Sequence, residues 1–100
     1  MSAGQLAMNA ENQIQGEGIL EQTTKTLENI NATLRQAGWS KNDIVKATIW
    51  LTSTDDFGGF NESYVAYFGD TPPSARSTVC TSLMTPKALI EIEVLAYVGE

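Results

Sequence analysis

The sequence predicts an α+β fold, a two-layer sandwich of a mixed β-sheet with two helices packed on one face. Three observations carry that prediction. Two stretches, 18–37 and 53–68, place their apolar residues at helical spacing, and 44–52, 76–82 and 89–98 are rich in β-branched and aliphatic residues. Helical and extended stretches alternate in the order (β)αβαββ, so helices can cover one side of a sheet. One hundred residues serve a single core, and the chain, residues 1–100, is read as one domain.

Residues 2–15 hold little pattern, with Leu6 and Met8 the only large apolar side chains before a polar run from Asn9 to Gln13. They are read as a strand remnant and a loop. From Gly18 onward, Ile19, Leu20, Leu27, Ile30 and Leu34 fall on one helical face, with Glu21, Lys25, Glu28 and Arg35 left for water. Ala37-Gly38 ends that helix, because glycine takes the left-handed conformation of a helix terminus. Ser40-Lys41-Asn42-Asp43 has the Ser-x-x-acid form of a capping box and predicts one helical turn. Ile44 to Thr52 then reads as a mostly buried strand.

Ser53-Thr54-Asp55-Asp56 repeats the capping pattern and opens the second helix, whose Phe57, Phe60, Tyr64, Val65 and Phe68 are assigned to one aromatic face. Gly69-Asp70-Thr71-Pro72-Pro73 stops it, since proline cannot continue a helix. Arg76 to Ser82, a turn at Thr85-Pro86-Lys87, and Leu89 to Val98 read as a closing hairpin of two strands.

Composition removes several function classes. Six basic against twelve acidic residues give a net charge of −6, and the basic residues are scattered, which disfavours nucleic acid as the primary partner. One cysteine allows no intramolecular disulfide, and without histidine there is no plausible zinc set. No apolar run approaches the roughly 20 residues of a membrane span, and the first residues have neither the basic region nor the apolar core of a signal peptide. The reading is a soluble protein of the reducing cytoplasm.

The residues that can carry chemistry stand in the last quarter. Arg76 is the only arginine besides Arg35. Its guanidinium is a rigid fork that matches a carboxylate bidentately and keeps its charge. Thr78 and Cys80 share its parity along the strand and should face the same side. Glu91 and Glu93 share one face, opposite Ile90, Ile92 and Val94, and a carboxylate in a partly apolar pocket can serve as base and acid. Taken singly, each has a plainer reading. Arg76 suits an ion pair, the glutamates a wet sheet face, Thr78 a β-former and Cys80 a small buried hydrophobe. With no histidine to activate it, Cys80 is not a papain-like nucleophile.

Together these residues resemble a known family. Ala75-Arg76-Ser77 followed by Leu89-Ile90-Glu91-Ile92-Glu93 is similar to the C-terminal signature of the reactive intermediate deaminases, the RidA or YjgF family, also called L-PSP endoribonucleases. Ala3-Gly4-Gln5 resembles the family's Ser-Gly-Gln, and Glu21-Gln22-Thr23 with Leu27-Glu28-Asn29-Ile30 its first helix. Asp43 to Thr48 is similar to its second strand, and Asp56-Phe57, Asn61, Tyr64 and Tyr67-Phe68 to its second helix.

The resemblance implies a chorismate-mutase-like fold assembled as a homotrimer, with ligand sites in the clefts between subunits. It also implies hydrolysis of the enamine or imine intermediates released by pyridoxal-phosphate enzymes, of the 2-iminobutanoate and 2-iminopropanoate type, to 2-keto acids and ammonia. By position, Arg76 would clamp the substrate carboxylate and Glu91 would activate the attacking water and protonate departing ammonia. Thr78, where the family often has cysteine, and Asn61 would make secondary substrate contacts. The chemistry needs no metal and no organic cofactor. Family members begin with about a hairpin more sequence, including a Gly-Pro-Tyr segment whose tyrosine lines the site. This sequence starts almost at the Gly-Gln, so one wall of the pocket is expected to be open and a sheet edge exposed. A non-catalytic trimer that captures small carboxylates is the alternative of another class, and an endoribonuclease is a third.

Overall fold

A computed structural model of the chain describes residues 2–5, 18–70, 75–84 and 87–97. The elements are β1 (Ser2–Gln5), α1 (Ile19–Gln36), β2 (Ile44–Leu51), α2 (Phe57–Phe68), β3 (Ala75–Cys80) and β4 (Ile90–Ala96), with short 3₁₀ turns at Lys41–Asp43 and Thr54–Asp56. Among the described residues the strands form one mixed sheet in the order β1-β4-β2-β3. β4 runs antiparallel to both β1 and β2, while β3 lies parallel to β2.

The helix boundaries follow from their end chemistry. At the C-terminus of α1, Gly38 adopts φ 83°. Its N–H donates to the Arg35 carbonyl at 3.1 Å, and the Trp39 N–H donates to the Leu34 carbonyl at 2.8 Å. That pair of bonds satisfies carbonyls the helix leaves open and reverses the chain. Asp43 accepts from the Ser40 backbone N–H at 2.9 Å, as the capping pattern predicts. Lys41 reaches from the same turn to the Tyr67 carbonyl at 2.7 Å and ties it to the last turn of α2.

The core lies between the helices and one face of the sheet. Leu27, Ile30 and Leu34 of α1 and Phe60, Tyr64 and Phe68 of α2 pack on Ala47, Ile49 and Leu51 of β2 and on Ile90, Ile92 and Val94 of β4. α1 also buries Gln22, Thr23 and Thr26, which apolar periodicity does not identify. The two helices approach closely at Gly59, where a methyl group would come within 2.5 Å of Ile19 Cγ2.

Several expectations are corrected. β3 and β4 are not a hairpin: β2 lies between them. The connection from Thr81 to Leu89 is longer than the roughly two to five residues of a tight hairpin loop, and β4 pairs along β2 instead. β2 is buried on one face only, with Thr48 and Trp50 partly open on the other. Leu20 and Val65 are exposed, because each lies off the narrow stripe that meets the sheet, and Phe57, in the first turn of α2 above the edge strand β3, is exposed as well. Cys80 is exposed as well, since β3 is an edge strand whose residues are all accessible. The turn at Thr85-Pro86, the polar run 9–13 and the breaker residues 71–73 lie outside the described residues.

Candidate functional site

Parallel pairing of β3 with β2 sets Arg76 opposite Ala47 and Thr78 opposite Ile49. Arg76 and Thr78 therefore sit on the helix-bearing face, and the first two turns of α2 arch over Arg76. Its Nη1 donates to Asn61 Oδ1 at 2.8 Å. The guanidinium carbon lies 5.9, 5.6 and 5.0 Å from the ring centres of Phe57, Phe60 and Tyr64. The three rings, spaced one helical turn apart, form an apolar and π-rich bed, and each cation–ring contact adds about 0.5–2 kcal/mol according to its desolvation. An exposed arginine would otherwise sample many rotamers. Among the described residues one hydrogen bond and three rings hold it, a set that leaves most of its five N–H donors for a planar anion.

Tyr64 is both part of this bed and part of the core. Its hydroxyl is buried with no hydrogen-bond partner among the described residues. Burial pushes the phenol above its ordinary value of 10.0, while the Arg76 charge beside it pulls the other way. The ring is thus neutral at physiological pH. Further along β3, toward its C-terminal end and sharing Phe57 with the Arg76 bed, lies a cavity of about 340 Å³ lined by Leu51, Thr54, Phe57, Thr78, Val79 and Cys80.

Glu91 occupies the other face. It is in register with Trp50, and Glu93 with Thr48, so both carboxylates rise from the side without helices. Glu91 is partly buried and lines a separate cavity of about 350 Å³ with Trp50 and residues 81–84. Arg76 is registered three residues earlier along β2 than Glu91, and the two lie on opposite sides of β2, two strand spacings apart. With about 3.3 Å per residue along a strand and about 4.8 Å between strands, the two backbones stand about 14 Å apart, their side chains on opposite faces. They stand on strands that follow one another in the chain, yet in one copy they do not converge.

Of the four site residues expected from sequence, Arg76 and Asn61 touch, Thr78 lines the adjoining cavity, and Glu91 is apart. The ring bed is the part that sequence reasoning assigned to core alone. The spacing of Phe57, Phe60 with Asn61, and Tyr64 along one helix was the available signal. Among the described residues, no three His, Cys, Asp or Glu side chains are grouped as a metal site would require, and no helix is long and apolar enough to cross a membrane.

Comparison with known proteins places this geometry in a family. The family model described as endoribonuclease L-PSP matches residues 1–98. A RutC family protein of Pyrococcus abyssi is 44% identical over 96 residues, covering 95% of this chain and 75% of its own length. One from Pyrococcus horikoshii is 47% identical over 79 residues, covering 79% of this chain and 62% of its own. Among solved structures, RidA from a Psychrobacter species superposes with a TM-score of 0.87 at 35% identity, covering 96% of this chain and 77% of that one. The Rid family protein YyfA of Yersinia pestis gives 0.88 at 41% identity, with the same two coverages of 96% and 77%. Family model, relatives and superposed structures agree: the chain belongs to the endoribonuclease L-PSP family, the family of the RidA and YjgF proteins.

Proposed function

We propose that the protein is an enamine/imine deaminase that hydrolyses reactive 2-imino acids to 2-keto acids and ammonia, and that it works as a cytoplasmic homotrimer. The observation that carries this reading is the guanidinium of Arg76, fixed by Asn61 over three rings beside a cavity lined by Thr78. Such a fork accepts the carboxylate of a small 2-imino acid in two parallel hydrogen bonds. Thr78 offers a hydroxyl to the same anion.

Glu91 of the same copy stands on the wrong face to reach that substrate, so a neighbouring copy supplies it. A cyclic assembly, in which one patch of each subunit meets a different patch of the next, provides this pairing at every interface. Glu91 takes a proton from water as its oxygen attacks the imine carbon. The C=N π pair moves to nitrogen, and a carbinolamine forms. With the imine protonated at the outset, Glu91 then returns the water's proton to nitrogen; as the C–N bond breaks and ammonia leaves, the hydroxyl gives its own proton to Glu91 and becomes the keto oxygen, and the departing ammonia takes that proton off as ammonium. One water is consumed for each ammonia released. Positioning and acid/base transfer supply the acceleration.

The test couples purified protein to a pyridoxal-phosphate dehydratase and follows keto-acid formation. Acceleration by the wild-type chain that is lost in Arg76→Ala supports the proposal; no acceleration by the wild type rejects it. A second reading has one observation in its favour: the arginine pocket is complete within a single copy, whereas Glu91 is remote. On that reading the protein only binds small carboxylates, and keto-acid binding that depends on Arg76 without turnover is its signature. Endoribonuclease action, which the family's older name describes, is disfavoured by the charge of −6 and the absence of histidine.

A further inference from the structure

The buried amide of Gln22 on α1 closes on the backbone that leads into β4. Gln22 is 2% exposed. Its Nε2 donates to the Lys87 carbonyl at 2.9 Å, and its Oε1 accepts from the Leu89 N–H at 2.8 Å. One donor and one acceptor set on either side of Ala88 reproduce the pair of bonds that a parallel neighbouring strand makes across a residue. From the other side, the Thr52 N–H donates to the Leu89 carbonyl at 3.2 Å. Leu89 is therefore held at both its polar atoms, two residues before Glu91.

The held segment is also strained. Lys87 has φ 69°, a left-handed conformation that a residue with a Cβ rarely adopts. The carbonyl of this same residue is the one that Gln22 holds. The consequence for β4 is one of parity. Successive strand residues face opposite sides, so the backbone setting at Leu89 decides that Ile90 enters the core and that Glu91 rises beside Trp50. A buried polar side chain is costly unless it is paired, and an apolar residue of equal length would fill the space more simply. Both ends of this amide are instead spent on the approach to Glu91.

We infer that Gln22 is a positioning residue for Glu91: its amide fixes where and at what angle the carboxylate leaves the sheet. The inference rests on the deaminase reading only in giving Glu91 the water-activating role; the clamp itself is independent of it. Because a misplacement of about 1 Å at a reacting group can cost on the order of 100-fold in rate, the two contacts have a kinetic signature distinct from a packing role.

The experiment compares wild type with Gln22→Met, which keeps length and removes the hydrogen bonds to Lys87 and Leu89. Keto-acid release from dehydratase-generated imine is measured together with exchange of the Leu89 amide. Expected in Gln22→Met are faster Leu89 exchange and a kcat lower by about 10- to 100-fold, with KM, which Arg76 governs, within about twofold of wild type. A kcat within twofold of wild type, in a variant whose Leu89 amide has lost its protection, overturns the inference and leaves the function standing. If wild type does not turn over, the deaminase reading fails, and the clamp is judged on the carboxyl carbon resonance of Glu91. A shift of that resonance in Gln22→Met supports it, and no shift overturns it. If Gln22→Met does not fold, Gln22→Glu replaces it: the protonated carboxyl can again donate to Lys87 and accept from Leu89. The carbonyl carbon resonance of Lys87, which loses its donor when that carboxyl ionises, is then followed with pH: a resonance that titrates with the carboxyl supports the clamp, and one that stays flat overturns it.

Discussion

The two faces of the sheet are built from the same strands and have opposite chemistry. On one, Ala47, Ile49, Leu51, Ile90, Ile92 and Val94 meet the apolar stripes of both helices and are almost wholly buried. On the other, the alternate residues Lys46, Thr48, Trp50, Glu91, Glu93 and Leu95 stand partly or fully open. The helix face needs only its own chain to be complete. The open face holds a half-buried carboxylate beside an indole and large apolar side chains such as Leu95 and, on β3, Val79, each close to half exposed. One copy thus completes the fold, while on the proposed function two are needed to complete the chemistry, Arg76 being presented from the closed face and Glu91 from the open one.

Complementation breaks or sharpens that division most strongly. Arg76→Ala is expected to lower kcat/KM by at least about 100-fold, through loss of charged hydrogen bonds to the substrate carboxylate. Glu91→Gln should lower kcat by about 10²- to 10⁴-fold with KM nearly unchanged. When the two inactive variants are unfolded together and reassembled in equal amounts, an interface works where an intact Arg76 meets an intact Glu91. Random mixing makes about a quarter of the interfaces of a cyclic assembly of this kind competent. Recovery of activity toward that fraction, measured by keto-acid release, supports a shared site. No recovery in mixed oligomers would put both groups in one subunit's site and reverse the comparison.

The next contrast is in stability. Ile92→Ala opens a cavity on the closed face and should cost about 2–5 kcal/mol in denaturant unfolding. Leu95→Ala, three residues along the same strand, removes a side chain that is 46% exposed in one copy. Its effect on the isolated chain should stay within about 0.5 kcal/mol. If the open face is covered by another copy, the same substitution weakens assembly, visible as a concentration-dependent loss of oligomer in sedimentation. Equal losses of unfolding free energy at both positions would show that the open face is buried by the chain's own residues.

Much of this was legible in the sequence because it depends on short-range pattern. Gly38 ends α1 through a conformation that glycine adopts readily, and Asp43 caps its turn from three residues away. The alternation of Ile90, Ile92 and Val94 with Glu91 and Glu93 separated the faces of β4 correctly. What stayed hidden depends on which strands become neighbours. Strands that follow one another in the chain read as a hairpin, whereas β2 inserts between them, and the register along β2 sets Arg76 beside Ala47 on the helix face and Glu91 beside Trp50 on the other. Gln22 was hidden for a related reason: its partners, Lys87 and Leu89, lie more than sixty residues away, and a polar residue at a helical core position has no local signature of what it will meet.

The smallest predicted effect concerns Tyr64, where the core and the arginine pocket share one ring. Its phenol and that of Tyr67 are both pushed above the ordinary value of 10.0 by burial, so the folded chain binds those protons more tightly than the unfolded chain does. Their contribution to stability is therefore fully present below pH 10 and is lost as pH rises from there through the folded-state values. Tyr64→Phe keeps the ring under Arg76 and removes a hydroxyl that has no partner among the described residues, so at pH 7 it should change unfolding free energy by less than about 1 kcal/mol. The difference from wild type should appear above pH 10, where Tyr64→Phe loses stability less steeply in parallel urea titrations. If the two slopes coincide, Tyr64 ionises as easily folded as unfolded, and its ring is more open to water beside Arg76 than the closed face implies. Tyr64→Phe should also leave the KM for imine within about twofold, since the ring and not the hydroxyl supports the guanidinium. A larger rise in KM would assign the hydroxyl to the substrate and make the arginine pocket, like the glutamate one, incomplete until something else is bound.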